Sequence, residues 1–127
     1  MKKKIVETTQ APKPVGPYSQ AVQVGHLLFC SGQVSIDPSD NQVKMTDIQT
    51  QTRLVMENIK AVLTAAGGGF QNVVKTTIFL KRMSDFAVVN EIYGSYFLSE
   101  PPARSTVEVS GLPKGLDVEI ECVAALS

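Results

Sequence analysis

Ile48, Thr52, Val55, Ile59, Val62 and Ala66 recur at alternating spacings of four and three, which sets all six on one face of a single helix of roughly 18 to 20 residues. A helix with one apolar stripe must bury it against another layer. The chain supplies that layer directly afterwards. Gly67-Gly68-Gly69 ends the helix, and Val73–Leu80 (VVKTTIFL) is rich in β-branched residues and reads as a strand. The three glycines follow a helix, whereas a phosphate-cradling loop precedes one and carries Gly-Lys-Ser/Thr, so they read as a cap and turn. Upstream, Thr46 and Gln49 are spaced as a capping box and place the start of the helix.

The remaining elements follow from local chemistry. Three prolines within residues 11–17 forbid helix and leave an extended lead into Tyr18. Ala21–Val24 and Leu27–Ser31, separated by Gly25-His26, read as a hairpin, and the polar stretch Asp37–Lys44 with Pro38 reads as a surface loop. After the Val73–Leu80 strand, Ser84 is placed to cap a second helix whose apolar face is Phe86, Val89, Ile92 or Tyr93, and Tyr96, and Pro101-Pro102 stop it. Arg104–Ser110 and Leu116–Ala124 read as strands joined through the turn Gly111–Gly115. The order β-β-α-β-α-β-β predicts a sheet with two helices on one face, in one domain spanning residues 1–127.

Composition narrows the function. Hydrophobic residues make up 43% of the chain and charged ones 19%, a globular balance with apolar surface to spare for a subunit contact. Twelve basic residues cancel twelve acidic ones, and the only basic cluster, Lys2-Lys3-Lys4, reads as terminal solvation, so binding driven by phosphate neutralisation is not expected. No apolar run approaches the ~18 residues of a membrane span, and no apolar stretch follows the lysines as in a signal peptide; the expectation is a cytoplasmic protein without a membrane partner. Cys30 and Cys122 fall in strand-like runs and read as buried reduced thiols. With His26 as the single histidine, no metal site is expected.

Alternation along the last two strands carries the chemistry. Val107 and Val109 share one side and Arg104, Thr106, Glu108 and Ser110 the other, while Val118, Ile120, Cys122 and Ala124 oppose Glu119, Glu121 and Val123. If the helices cover the valine side, the second face presents an arginine and several carboxylates beside Val123. Such a face is an interface or a pocket. The arginine is then either one half of a salt bridge or a planar fork for a ligand carboxylate, with a glutamate near enough to take a proton from water.

Gly16-Pro17-Tyr18-Ser19-Gln20-Ala21, Ser31-Gly32-Gln33, Val74-Lys75-Thr76-Thr77, Asp85–Asn90, Pro102-Ala103-Arg104-Ser105, Leu112-Pro113-Lys114 and Val118-Glu119-Ile120-Glu121 together resemble the RidA (reactive intermediate deaminase, YjgF) family, essentially from end to end. The resemblance implies an α+β, chorismate-mutase-like fold: one mixed six-stranded sheet with two helices packed on one face. It implies that the Val73–Leu80 strand lies between the Arg104 and Glu119 strands. It further implies a homotrimer with its sites in clefts between subunits, the uncovered sheet face lining the trimer's middle.

Similar proteins hydrolyse 2-imino acids to 2-keto acids and ammonia without a cofactor. Carried over residue by residue, the resemblance makes Arg104 the clamp on the substrate carboxylate and Glu119 the base that orients and deprotonates water. Tyr18 and Ser31 become hydrogen-bonding pocket residues, and Gly32 keeps the backbone approachable. Bacterial relatives often have cysteine where this chain has Thr106, so thiol chemistry is absent there and Thr106 is a polar or backbone contact to substrate. Lys75 and Asn90 also match family positions and read as structural. Two rivals stand beside the 2-iminobutanoate/2-iminopropanoate deaminase: a non-catalytic trimer that binds small acids, and an RNA-cleaving inhibitor of translation, a role attached to similar proteins. Balanced charge and the lack of an aromatic platform speak against the second.

Overall fold

The computed structural model describes residues 1–127. Strands β1 (Lys3–Val6), β2 (Ala21–Val24) and β3 (Leu27–Gln33) pair antiparallel, and Gly25, at φ +59°, turns the β2–β3 hairpin where Gly25-His26 placed it. Within the polar loop, β4 (Ile36–Asp37) and β5 (Gln42–Val43) form a small ladder of their own. Helix α1 (Ile48–Ala65), strand β6 (Val73–Leu80), helix α2 (Phe86–Gly94), strand β7 (Ala103–Glu108) and strand β8 (Val118–Ala125) follow. The main sheet has six strands in the order β1-β2-β3-β8-β6-β7. Only β6 and β7 run parallel, so the sheet is mixed, and β6 does separate β7 from β8. The sixth strand is β1: its lysines, read as terminal solvation, pair with β2 as an exposed edge.

Helix α1 spans 18 residues, as its apolar period demands. Its cap lies one residue beyond the expected capping box: the Asp47 carboxylate, not Thr46, accepts from the Thr50 amide at 2.7 Å. An ionised acceptor suits the positive end of the helix better than a hydroxyl, and that bond in turn holds Asp47 below the usual carboxylate range. At the other end Gly67 sits at φ +85°, with its amide bonded to Thr64 O at 3.0 Å and the Gly68 amide to Leu63 O at 2.9 Å. These two bonds make a Schellman cap. Helix α2 is not capped by Ser84. Residues Met83–Asp85 make a tight helical turn instead, and the Met83 amide donates to Glu108 Oε1 of β7 at 2.7 Å.

Val55, Met56, Ile59, Val62 and Leu63 of α1 pack on Ile78 and Leu80 of β6 and Val118 and Ile120 of β8. The polar Gln51, buried in the same helix, exchanges hydrogen bonds with Asp117: its Nε2 donates to Asp117 Oδ2 at 2.9 Å, and its Oε1 accepts from the Asp117 amide at 3.0 Å. Arg82 pairs with the same carboxylate at 3.1 Å. The start of β8 is thereby held against the helix layer. Cys30 and Cys122 are buried free thiols, opposed across β3 and β8.

The faces of the sheet differ from the expectation at one strand. Thr76, Ile78 and Leu80 are buried under the helices, and the register pairs them with Arg104, Thr106 and Glu108. Neighbours in register share a face, so the helices cover the Arg104 side of β7, not the Val107 side. Ser105 and Val107 join Thr77, Phe79, Glu119, Glu121 and Val123 on the other face, where Lys75 Nζ donates to Ser105 Oγ at 2.9 Å. Across the sheet this face continues through Phe29, Val22 and Ile5. Neither helix covers it, and Phe29 and Val107 remain 47% and 42% exposed.

Candidate active site

On the open face, a cleft of about 430 Å³ is lined by Tyr18, Ser31, Gly32, Gln33, Lys114 and Glu119, among others. Its floor comes from an irregularity in β3. Cys30 pairs with Cys122 and Gln33 with Ile120, so one extra residue is inserted at Ser31-Gly32. Such a bulge turns side chains out of the regular alternation. The Ser31 hydroxyl donates to Ser19 O at 2.6 Å and its amide to Gln20 O at 2.9 Å, which fixes this strand against the proline-rich lead.

The lead itself is pinned by one buried amide. Gln20 Nε2 donates to Thr8 O at 3.0 Å, Ala11 O at 3.3 Å and Pro12 O at 2.8 Å, while its Oε1 accepts from the Thr8 amide at 2.7 Å. Tyr18 is held on this ordered segment yet stays 54% exposed at the cleft. Lys114, in the turn Pro113–Gly115, adopts a left-handed backbone at φ +61°. A non-glycine residue costs about 1 kcal/mol there.

Glu119, on β8, lies over Gly32. A β-carbon at that glycine would overlap the carboxylate, standing 2.8 Å from Glu119 Cδ. The glycine therefore makes room for the acid. Burial, and secondarily the neighbouring Glu121, push the Glu119 pKa above the ordinary glutamate value. A half-buried carboxylate with raised proton affinity is suited to general-base work on water.

Arg104 and Thr106 are elsewhere. They lie on the helix face of β7, with the sheet between them and Glu119. Arg104 has no carboxylate partner, so the internal salt bridge is not formed; the two ion pairs are Lys44–Asp40 and Arg82–Asp117. Its guanidinium carbon instead lies 5.3 Å from the Phe86 ring centre and 5.2 Å from that of Tyr93, and Nη1 donates to Asn90 Oδ1 at 2.6 Å. The Thr106 hydroxyl is buried without a hydrogen-bond partner. One chain thus joins Tyr18, Ser31, Gly32 and Glu119 and leaves Arg104 and Thr106 apart.

A larger groove of about 710 Å³ runs between Glu7–Ala11 and Pro38–Asn41, but its only deeply buried polar side chain, Gln20, is fully engaged with backbone. No helix is long and apolar enough to cross a membrane, and no group of three or more His, Cys, Asp or Glu side chains is arranged to hold a metal ion.

The model of the family described as Endoribonuclease L-PSP matches residues 8–126. Among solved structures, the conserved Rid-family protein YyfA of Yersinia pestis superposes with a TM-score of 0.96 at 48% identity, covering 98% of this chain and 100% of that one. The chain belongs to the RidA (YjgF) family. The mouse 2-iminobutanoate/2-iminopropanoate deaminase is 47% identical to this RidA-family chain over 122 residues, 96% of it and 90% of the mouse protein. E. coli TdcF with bound serine superposes with a TM-score of 0.93 at 41% identity, covering 98% and 99% of the two chains.

Three contributors escaped the sequence reading. Gln20 stands in the Gly16–Ala21 motif, and nothing in a glutamine signals four hydrogen bonds to backbone. Lys114 carried a signal, since a Pro-Lys-Gly turn often needs one left-handed residue. Asn90 reads as structural from the motif, although its i+4 spacing from Phe86 and i−3 spacing from Tyr93 places all three on one stripe of α2.

Proposed function

We propose that this RidA-family protein is a cofactor-independent hydrolase, a 2-iminobutanoate/2-iminopropanoate deaminase, acting as a cytoplasmic homotrimer. The observation that carries the reading is the Glu119 carboxylate, half-buried over Gly32 with its proton affinity raised, in a cleft beside Ser31 and Tyr18. Glu119 takes a proton from water as the oxygen attacks the imine carbon. Glu119 returns that proton to the nitrogen of the resulting carbinolamine and accepts the hydroxyl proton as the C–N bond breaks, so that ammonia leaves, the 2-keto acid forms, and ammonia carries off the remaining proton to restore the carboxylate. Because a protonated imine is already electrophilic, positioning and base assistance worth about 10²–10⁴-fold are adequate.

The carboxylate clamp in this reading is Arg104, whose charge is free of any acidic partner. Since it lies behind the sheet relative to Glu119 of the same chain, the substrate is held between copies: Arg104 of one subunit closes over the cleft of its neighbour, and Thr106, whose hydroxyl is buried in its own chain, contributes through its backbone. The uncovered apolar face with Ile5, Phe29 and Val123 gives such an assembly its buried centre. The name of the mouse relative and the serine bound to TdcF support a small amino-acid-derived ligand.

The test is ammonia release or semicarbazone trapping with 2-iminopropanoate and 2-iminobutanoate generated in place, for wild type and Arg104→Ala together. Acceleration by wild type alone, with the oligomer and melting temperature of the variant nearly unchanged, is the expected result. No acceleration by either leaves a trimeric binder of small acids. RNA cleavage that survives Arg104→Ala would place a different activity at a second site.

A further inference from the structure

Arg104 is held by a set of groups that the reaction as described does not use. Phe86, Asn90 and Tyr93 occupy one stripe of α2, and all three face the guanidinium on β7. The two rings lie against it at 5.3 and 5.2 Å, within the range where a cation is attracted to an aromatic face. Tyr93 is itself fixed, its hydroxyl sharing a 2.6 Å hydrogen bond with Thr76 in the core. Between the rings, the Asn90 carbonyl oxygen accepts from Nη1 at 2.6 Å.

The chemistry of these three groups is selective in one respect. Each attracts a cation, and none carries a negative charge. A carboxylate at position 90 would make a stronger bond to arginine, and a protein that needed only to anchor the side chain would gain by it. It would also cancel the charge that a ligand carboxylate must meet. We infer that Asn90 is a positioning residue which, with the Phe86 and Tyr93 rings, orients the Arg104 fork while leaving its full positive charge for an anionic substrate.

This rests on the proposed role of Arg104 as carboxylate clamp, and the experiment separates the two. Calorimetric titration with 2-oxobutanoate, the stable keto-acid product, is performed on wild type, Arg104→Ala, Asn90→Asp and Asn90→Ala, each checked for oligomeric state and melting temperature. Asn90→Asp keeps the shape and the hydrogen bond, so a structural role predicts wild-type affinity and equal or higher melting temperature. Positioning with charge preservation predicts an unchanged or higher melting temperature together with a Kd raised roughly ten- to hundredfold, the loss of one charge-assisted contact. Asn90→Ala, which frees the side chain without cancelling its charge, is expected to weaken binding less than Arg104→Ala does. Wild-type affinity in Asn90→Asp, with Arg104→Ala unable to bind, overturns the inference and leaves the clamp standing. Undiminished binding by Arg104→Ala overturns both.

Discussion

Placing Arg104 and Glu119 on opposite faces of one sheet makes a sharp prediction for mixed oligomers. Arg104→Ala and Glu119→Gln are each expected to be inactive alone. If the protein is the proposed homotrimer, co-expression with different affinity tags and purification through both should yield trimers containing two copies of one variant and one of the other. If each site takes its arginine from one subunit and its glutamate from the next around the ring, every mixed trimer has one interface where an intact arginine meets an intact glutamate. The other two interfaces lack at least one of the pair. Doubly tagged trimers should therefore recover about one third of wild-type kcat, at wild-type KM, whichever variant is in excess. The assay is keto-acid formation from freshly generated 2-iminobutanoate, with subunit exchange excluded by repeating the tag selection afterwards. Activity no higher than that of the parent variants would refute the shared site, because a site built within one chain cannot be repaired by mixing.

Gly32→Ala should fold and assemble normally but lose roughly 10²-fold in kcat/KM, since the new methyl displaces the flexible end of Glu119 and not backbone; circular dichroism and kinetics separate the two effects. Because burial raises the Glu119 pKa, the acid limb of the kcat/KM profile should lie above the ordinary glutamate range, activity falling as pH drops through it; a limb at or below that range would remove Glu119 as the base. By the same linkage the folded state binds this proton more tightly than the unfolded chain, so the group's contribution to stability declines as pH rises from the ordinary to the raised value. Glu119→Gln should accordingly melt no lower than wild type at neutral pH. Asp47→Ala, at the cap of α1, should cost about 1 kcal/mol in urea unfolding and leave turnover unchanged.

What the sequence made legible was the part governed by burial. α1 and β6 are deeply packed, so their apolar periods report the side that faces the core, and their bounds follow. β7 is an edge strand, and there the pattern misleads. Val107 is exposed on the open face, whereas Arg104, Thr106 and Glu108 lie on the helix face because Asn90 of α2 and the Met83 amide in the turn just before that helix satisfy two of them. Alternation alone cannot tell a core-facing polar row from a solvent-facing one when a helix edge supplies the partners. β1 is silent in the sequence for a related reason, since three of its four residues are exposed and only pairing with β2 makes it a strand. At the site, the motif residues pointed to Glu119, Ser31 and Tyr18. The inserted residue at Ser31-Gly32 and the disposition of Arg104 behind the sheet depend on register, which no local pattern encodes.

The strand latest in sequence, β8, lies in the middle of the main sheet, between β3 and β6. A ribosome making this chain cannot let the sheet close until Val118–Ala125 has been synthesised. A product released short of Val118 would hold β3 and β6 as two bare edges with no strand to join them, an invitation to aggregate. The same missing segment carries Glu119, so a truncated chain has neither the base nor a closed sheet. Completion of the fold and completion of the candidate site are one event in the life of each molecule.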